Sequence, residues 1–263
     1  EVGFYDPRLG AAIAPLIQKN TKIIYVESPG SLTFEIQDLP AITSAAHARG
    51  AVVVCDNTWA TPLWHQPMRL GADIVVHAGT KYLVGHSDAM LGVVVANEAL
   101  YEPLRRAANW LGHHASPDDV YLAARGLRTL AVRMRQHQAG GLALARFLEQ
   151  RPEIRSVLHP ALPSHPDHLL WQRDFSGASG LFSVVLKTES TTLARAFVDQ
   201  LELFGIGFSW GGFESLTLIC DPTHARTATH WGEKGVLVRF HAGLEDPQDL
   251  MRDLSRALPI LSQ

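Results

Sequence analysis

The chain has 263 residues, 46% apolar and 19% charged, with 23 Lys and Arg against 26 Asp and Glu for a net charge of −3. This ordinary globular composition offers no basic stripe for nucleic acid, and its apolar runs are too short and broken to cross a membrane, so neither is an expected partner. The length suits one large domain or two smaller ones. Residues 1–20 lack the basic-then-apolar pattern of a signal peptide, which makes the cytoplasm the expected location. Cys55 and Cys220 each end an apolar run and are expected as buried free thiols. The 13 histidines are scattered, and no His-Glu-x-x-His type of spacing supports a metal site.

Taken in chain order, the first hundred residues alternate apolar runs with helical patterns. Ile23–Glu27 reads as a strand. Asp38 then caps a helix with Pro40 near its start, Gly50 past its end, and Leu39, Ile42, Ala45 and Ala46 on one stripe. Ala51–Cys55, Asp73–Val76 and Leu91–Ala96 are apolar runs without alternation, as expected of strands covered on both faces in a parallel sheet. Strand–helix–strand order predicts an α/β layer architecture.

Ser116, Pro117 and the acidic pair Asp118–Asp119 begin a long helix, with Val120, Ala124, Leu127, Ala131 and Met134 on one face. Its pattern continues to about Gln150, with a break or kink expected at Gly140–Gly141 and an end before Pro152. Pro160–Asp167 reads as a loop. Gly180–Leu186, Leu216–Cys220 and Val236–His241 read as strands, and Thr192–Leu203 and Asp246–Leu258 as helices. This pattern predicts a smaller α+β unit. The boundary is placed inside the long helix, dividing the chain into 1–127 and 128–263.

In open α/β sheets ligands bind at the carboxyl ends of the strands. Asp56 closes the run Ala51–Cys55, and Lys81 follows the run beginning at Asp73. An amine and a carboxylate at neighbouring strand ends suit pyridoxal 5′-phosphate (PLP): the amine links to the aldehyde and the carboxylate keeps a proton on the ring nitrogen. Thr80 could offer its hydroxyl to the phosphate. On position alone, such a lysine is more often a solvated loop residue and such an aspartate a turn residue. Arg239, led into by Val236–Val238, calls for an anionic partner; a carboxylate-bearing substrate and an internal salt bridge both satisfy it. Trp210 by itself reads as core packing. His113–His114 reads as a surface loop, and Arg125 and Arg128 as helix ion-pairing residues.

The segment His77–Gly92 resembles the PLP-lysine segment of the Cys/Met-metabolism enzymes. Further segments of that family occur in the same order: Glu27–Ser31, Asp56–Trp59, Arg125–Leu130, Gly177–Phe182, Ser209–Ser215 and Arg239–Asp246. The resemblance runs essentially end to end and is strongest, at Tyr82–Met90 and Ser209–Gly212, to the bacterial branch that cleaves cystathionine at its β-carbon. It implies a PLP-dependent transferase-like (fold type I) α/β large domain with a mostly parallel sheet, followed by a smaller α+β C-terminal domain.

It also implies site roles. Lys81 carries the cofactor, Asp56 pairs with the pyridine nitrogen and Thr80 contacts the phosphate. Arg239 grips the substrate α-carboxylate, with Ser209 and Trp210 beside it. Two positions depart from the commoner pattern: Ala78 stands where many relatives have a phosphate-binding serine, and Ser31 where many have asparagine. The implied reaction is an α,β-elimination of a small sulfur amino acid, cystathionine, to homocysteine, pyruvate and ammonia in methionine biosynthesis. Alternatives are γ-synthase, γ-lyase or cysteine-desulfhydrase chemistry, and a non-catalytic chain that acts only as an assembly or binding partner. The family forms homotetramers. Its chains begin well upstream, so residue 1 is expected to lie inside the large domain. A phosphate loop, a ring-stacking tyrosine, and a tyrosine and arginine reaching the neighbouring subunit are then expected to precede it. These 263 residues by themselves are accordingly not expected to fold stably or bind PLP well.

Overall fold

The computed structural model describes residues 1–262. Its first sheet has the order β1 (Ile23–Glu27), β2 (Val52–Asp56), β3 (Ile74–Ala78), β4 (Gly92–Ala96). β1, β2 and β3 run parallel and β4 antiparallel. Between β1 and β2 lies α1 (Leu39–His47), begun by Asp38, whose carboxylate accepts the Ala41 N–H at 3.3 Å. Leu39, Ile42 and Ala46 of α1 pack on Ile24, Val26, Val53 and Val75 to form the core of this layer. The opposite face of β1 is open: Ile23 and Tyr25 are exposed, as are Val94 and Val95 of β4. A short turn of helix, α2 (Thr61–Trp64), follows β2.

After β4 comes α3 (Glu98–Leu111), which the sequence reading did not anticipate. Asn97 caps its start and Gly112, at φ +68°, ends it. It buries none of its residues, so no core-facing stripe announces it.

The long helix expected over 116–150 is two helices, α4 (Pro117–Leu127) and α5 (Leu130–Glu149). The break falls at Arg128–Thr129 and not at Gly140–Gly141. There the Gly126 carbonyl accepts from Thr129 N–H, the Thr129 hydroxyl and Arg133 Nη2 at 3.1, 3.2 and 2.8 Å. Side-chain donors thus satisfy the end of α4 in place of continuing helix amides. Gly141 serves close approach instead, since a Cβ there would lie 2.8 Å from the Ser179 carbonyl.

The second sheet takes in β5 (Ile154–Leu158), β6 (Leu181–Leu186), β7 (Gly205–Ile206), β8 (Leu216–Cys220) and β9 (Leu237–His241), in the order β5-β6-β9-β8-β7. It is antiparallel apart from the β7–β8 pair. α6 (His168–Asp174) precedes β6. α5, α7 (Thr191–Asp199) and α8 (Pro247–Ala257) cover the sheet, burying Phe182, Val184 and Phe240 against Leu144, Phe197 and Leu254. Both cysteines are free; Cys55 is buried, but Cys220, at the end of β8, is only half-buried.

Buried and ionic contacts join the two sheets. Trp59 Nε1 donates to the Leu181 carbonyl at 2.9 Å, and Ser183 Oγ to that of Leu32 at 2.8 Å. Arg8 forks onto Asp167, which also accepts the Ile36 N–H.

Candidate active site

Because β1, β2 and β3 are parallel and in register, their carboxyl ends form one edge. Glu27 pairs across to Asp56, and Asp56 to Val76. The chain leaves β3 at Ala78 and turns at once, with Lys81 N–H on the Ala78 carbonyl and Gly85 N–H on that of Lys81. Arg133, buried on α5, donates to the Tyr82 carbonyl at 2.8 Å and holds this turn down. Gly85 has φ +74°, and a Cβ there would overlap the Arg133 guanidinium.

The edge faces a cavity of about 290 Å³ whose walls include Glu27, Asp56, Ala78, Lys81, Trp210 and Arg239. Lys81 Nζ donates to Ser209 Oγ at 2.6 Å and lies 5.2 Å from the centre of the Trp210 ring. Burial, reinforced by the nearby Arg239 charge, holds this amine below the usual lysine range, which favours its nucleophilic form. Asp56 accepts from Thr58 N–H at 2.8 Å and from the Tyr25 hydroxyl at 3.4 Å, and among the described residues it has no cationic partner. Burial first, and Asp56 second, push the Glu27 carboxyl up. Glu27 also accepts the Ser31 N–H.

Arg239 is buried in the middle of the second sheet. Its Nη1 donates to the Ser31 carbonyl at 3.2 Å and its Nη2 to that of Phe208, and no described carboxylate pairs with it. An internal salt bridge therefore does not account for it. A buried guanidinium that meets only carbonyls retains a strong preference for an anion.

The structure thus brings Lys81, Asp56, Arg239, Ser209 and Trp210 together. Thr80 adjoins them but faces Leu91: its oxygen accepts the Leu91 N–H at 2.9 Å, and its own O–H lies a long 3.4 Å from the Leu91 carbonyl. Arg125, Arg128, His113 and His114 are exposed. The sequence reading missed Glu27 and Phe208 as wall residues. Glu27 closes an apolar run just as Asp56 does, a signal that was available. Phe208 carried none.

A profile described as Cys/Met metabolism PLP-dependent enzyme matches residues 1–259. This chain belongs to that family. It is 48% identical over its whole length to a putative cystathionine β-lyase of Rhizobium johnstonii, covering 67% of that protein. It is 45% identical over 95% of its length to cystathionine β-lyase MetC of Escherichia coli, and over 98% to an L-alanine/L-glutamate racemase of Wolbachia pipientis, covering 65% and 64% of them. The chain spans about two thirds of the length of these curated relatives.

The α/β architecture fits the fold type I of this PLP-dependent family. The site fits its cofactor on chemical grounds. Among the described residues the half-buried Lys81 amine is free of carboxylates, and Asp56 shares its cavity without a cationic partner. The Thr80 O–H is free to turn from its long contact. Lys81 would anchor PLP, Asp56 would take the ring nitrogen and Thr80 a phosphate oxygen. Among the described residues no helix is long and apolar enough to cross a membrane.

Proposed function

We propose that this chain carries the chemistry of a PLP-dependent carbon–sulfur lyase that eliminates a thiol from the β-carbon of cystathionine, giving homocysteine, pyruvate and ammonia. The observation that carries the reading is the convergence of Lys81, Asp56 and Arg239, from three separated stretches of sequence, on one cavity. When bound, PLP supplies an electron sink that makes the substrate Cα–H bond acidic.

The remaining work belongs to side chains. Arg239 grips the α-carboxylate with a planar fork already oriented by the carbonyls of Ser31 and Phe208. Lys81 Nζ takes the proton from Cα; Ser209 Oγ fixes its direction, and Trp210 shields it. Asp56 keeps the ring nitrogen protonated, its charge supported by the Thr58 amide. Glu27 is adjacent to Asp56, and burial first and Asp56 second push the Glu27 carboxyl up. We place the division between a cofactor-holding unit and a C-terminal unit at 127/128. The working assembly is a cytoplasmic homotetramer of PLP enzymes.

The test is absorption of the purified PLP-loaded protein before and after borohydride, with peptide mapping of the fixed label, followed by product analysis on cystathionine. A visible band lost on reduction, a label on Lys81, and pyruvate among the products are expected. A label elsewhere overturns the anchor. 2-Oxobutyrate indicates cleavage at the γ-carbon, and a racemised amino acid without thiol release indicates the chemistry named for the Wolbachia relative.

A further inference from the structure

Beyond the groups that line the cavity, one buried polar residue is wired directly to the turn that holds Lys81. His241 ends β9, two residues after Arg239, and is only 1% exposed. Its Nε2 lies 3.1 Å from the Gly211 amide nitrogen, and its Nδ1 lies 3.0 Å from the Glu214 carbonyl oxygen. An amide N–H can only donate and a carbonyl can only accept. The two contacts therefore define the protonation: Nδ1 carries the hydrogen, Nε2 is bare, and the ring is neutral. A second proton on Nε2 would point straight at the Gly211 N–H.

The surroundings enforce the same state. The titratable or charged groups around the ring are His137 from α5, with centroids 5.2 Å apart, Tyr82 at 5.9 Å, Arg239 on its own strand, and Lys81. None is a carboxylate. Burial, with His137 and these cations, drives the imidazole well below its usual range.

What the imidazole holds is the segment that meets the lysine. Gly211 has φ +87°, and a Cβ there would stand 2.9 Å from Lys81 Cβ and 3.0 Å from its Cα, so Gly211 lies flat against the lysine backbone. Two residues earlier, Ser209 Oγ accepts from Lys81 Nζ, and between them Trp210 packs 5.5 Å from Tyr82. His241 thus fastens the chain that follows Ser209 and Trp210 at two points, Gly211 through Nε2 and Glu214 through Nδ1.

We propose that His241 is a positioning residue for Lys81: as a neutral imidazole with its hydrogen on Nδ1, it clamps the Ser209–Trp210–Gly211 turn so that Ser209 Oγ stays aimed at the lysine amine. The inference rests on Lys81 being the cofactor-bearing lysine. A purely structural histidine at this place would fill volume, and an aromatic ring of similar size would serve as well.

The experiment compares His241→Phe and His241→Gln with wild type in the PLP-loaded enzyme. Phe keeps the ring against Tyr82 and His137 but leaves Gly211 N–H and Glu214 C=O unpaired. Gln offers one acceptor and one donor again. Borohydride labelling of the wild type comes first: no label on Lys81 overturns the lysine's role and this inference with it. Given that label, His241→Phe is expected to lower kcat by at least about tenfold while KM moves by less than about threefold, because Arg239 keeps its Ser31 contact. It is also expected to shift the pH at which the visible band of the Lys81-bound cofactor titrates. His241→Gln restores both readouts most of the way. Wild-type kcat and titration in His241→Phe, or equal losses in Phe and Gln, overturn the role of His241 alone. Should the Phe variant not accumulate folded, His241→Asn replaces it, its shorter amide reaching one partner only. A loss in Asn but not in Gln upholds the clamp, and equal behaviour of the two overturns it.

Discussion

β6 of the second sheet is buried at all six positions, whereas β1 of the first alternates strictly between exposed and buried and β4 has no buried residue at all. The second sheet is covered by α5, α7 and α8 around Phe182, Phe197 and Phe240. The first is packed on one face by α1 and leaves Ile23, Tyr25, Val94 and Val95 in solvent. The site draws on both. Lys81 and Asp56 come from strand ends of the half-covered sheet, and Arg239 comes from the middle of the fully covered one. The group proposed to orient a substrate carboxylate thus stands in the more fully buried layer. The groups proposed to hold the cofactor and move protons stand at the open edge.

The hardest test of this division of labour separates activity from stability. Lys81→Ala removes the amine at the open edge, losing one hydrogen bond to Ser209 and the cation–π contact with Trp210. Turnover is expected to fall by at least about a thousandfold, with the unfolding midpoint nearly unchanged. Measurable steady-state turnover in a pure variant would count against the anchor. The complementary test is Phe240→Ala in the fully covered layer. Phe240 is fully buried, within 5.5–6.5 Å of the rings of Phe204, Phe182 and Phe197, and its truncation is expected to cost about 3–5 kcal/mol. Val94→Ala on β4 is expected within about 0.5 kcal/mol of wild type in the same urea titration of this chain. Equal costs at the two positions would erase the contrast between the layers.

How far the sequence reveals this arrangement depends on whether a residue's role is local. Asp38 and Gly50 delimit α1 by capping chemistry, and each parallel strand shows as an unbroken apolar run ending in a polar residue. These signals depend on neighbours in sequence. The break at Arg128–Thr129 depends instead on Arg133, which reaches back to Gly126 and across to Tyr82; no periodicity carries that information. α3 was invisible because it contributes nothing to a core. The site divides in the same way. Lys81 and Asp56 stand at strand ends that the sequence marks. The absence of a described carboxylate beside Arg239, and the wiring of His241 to Gly211 and Glu214, appear only once β9 lies next to the 208–215 segment.

A further small effect concerns an ion pair that spans the two regions. Asp38, the cap of α1, also meets Arg173 of α6 at 2.7 Å, with both side chains partly exposed. Hydrogen bonding to Arg173 and to the Ala41 amide holds the Asp38 carboxyl below its usual range, against an opposing push from burial. A depressed folded pKa means that the folded state holds this proton less tightly than the unfolded chain does. The stabilisation is therefore fully present above the unfolded pKa, about 3.9, and is lost as pH falls through the folded value. Asp38→Asn isolates the charge, since asparagine caps a helix as well as aspartate does. At neutral pH the variant is expected to be less stable by no more than about 1 kcal/mol, as for other exposed pairs, with the gap narrowing in high salt. Urea midpoints of the two proteins should converge as pH drops below about 4. A gap that persists there would mean that Asn disturbs the cap itself, and that the charge does not tie α1 to α6.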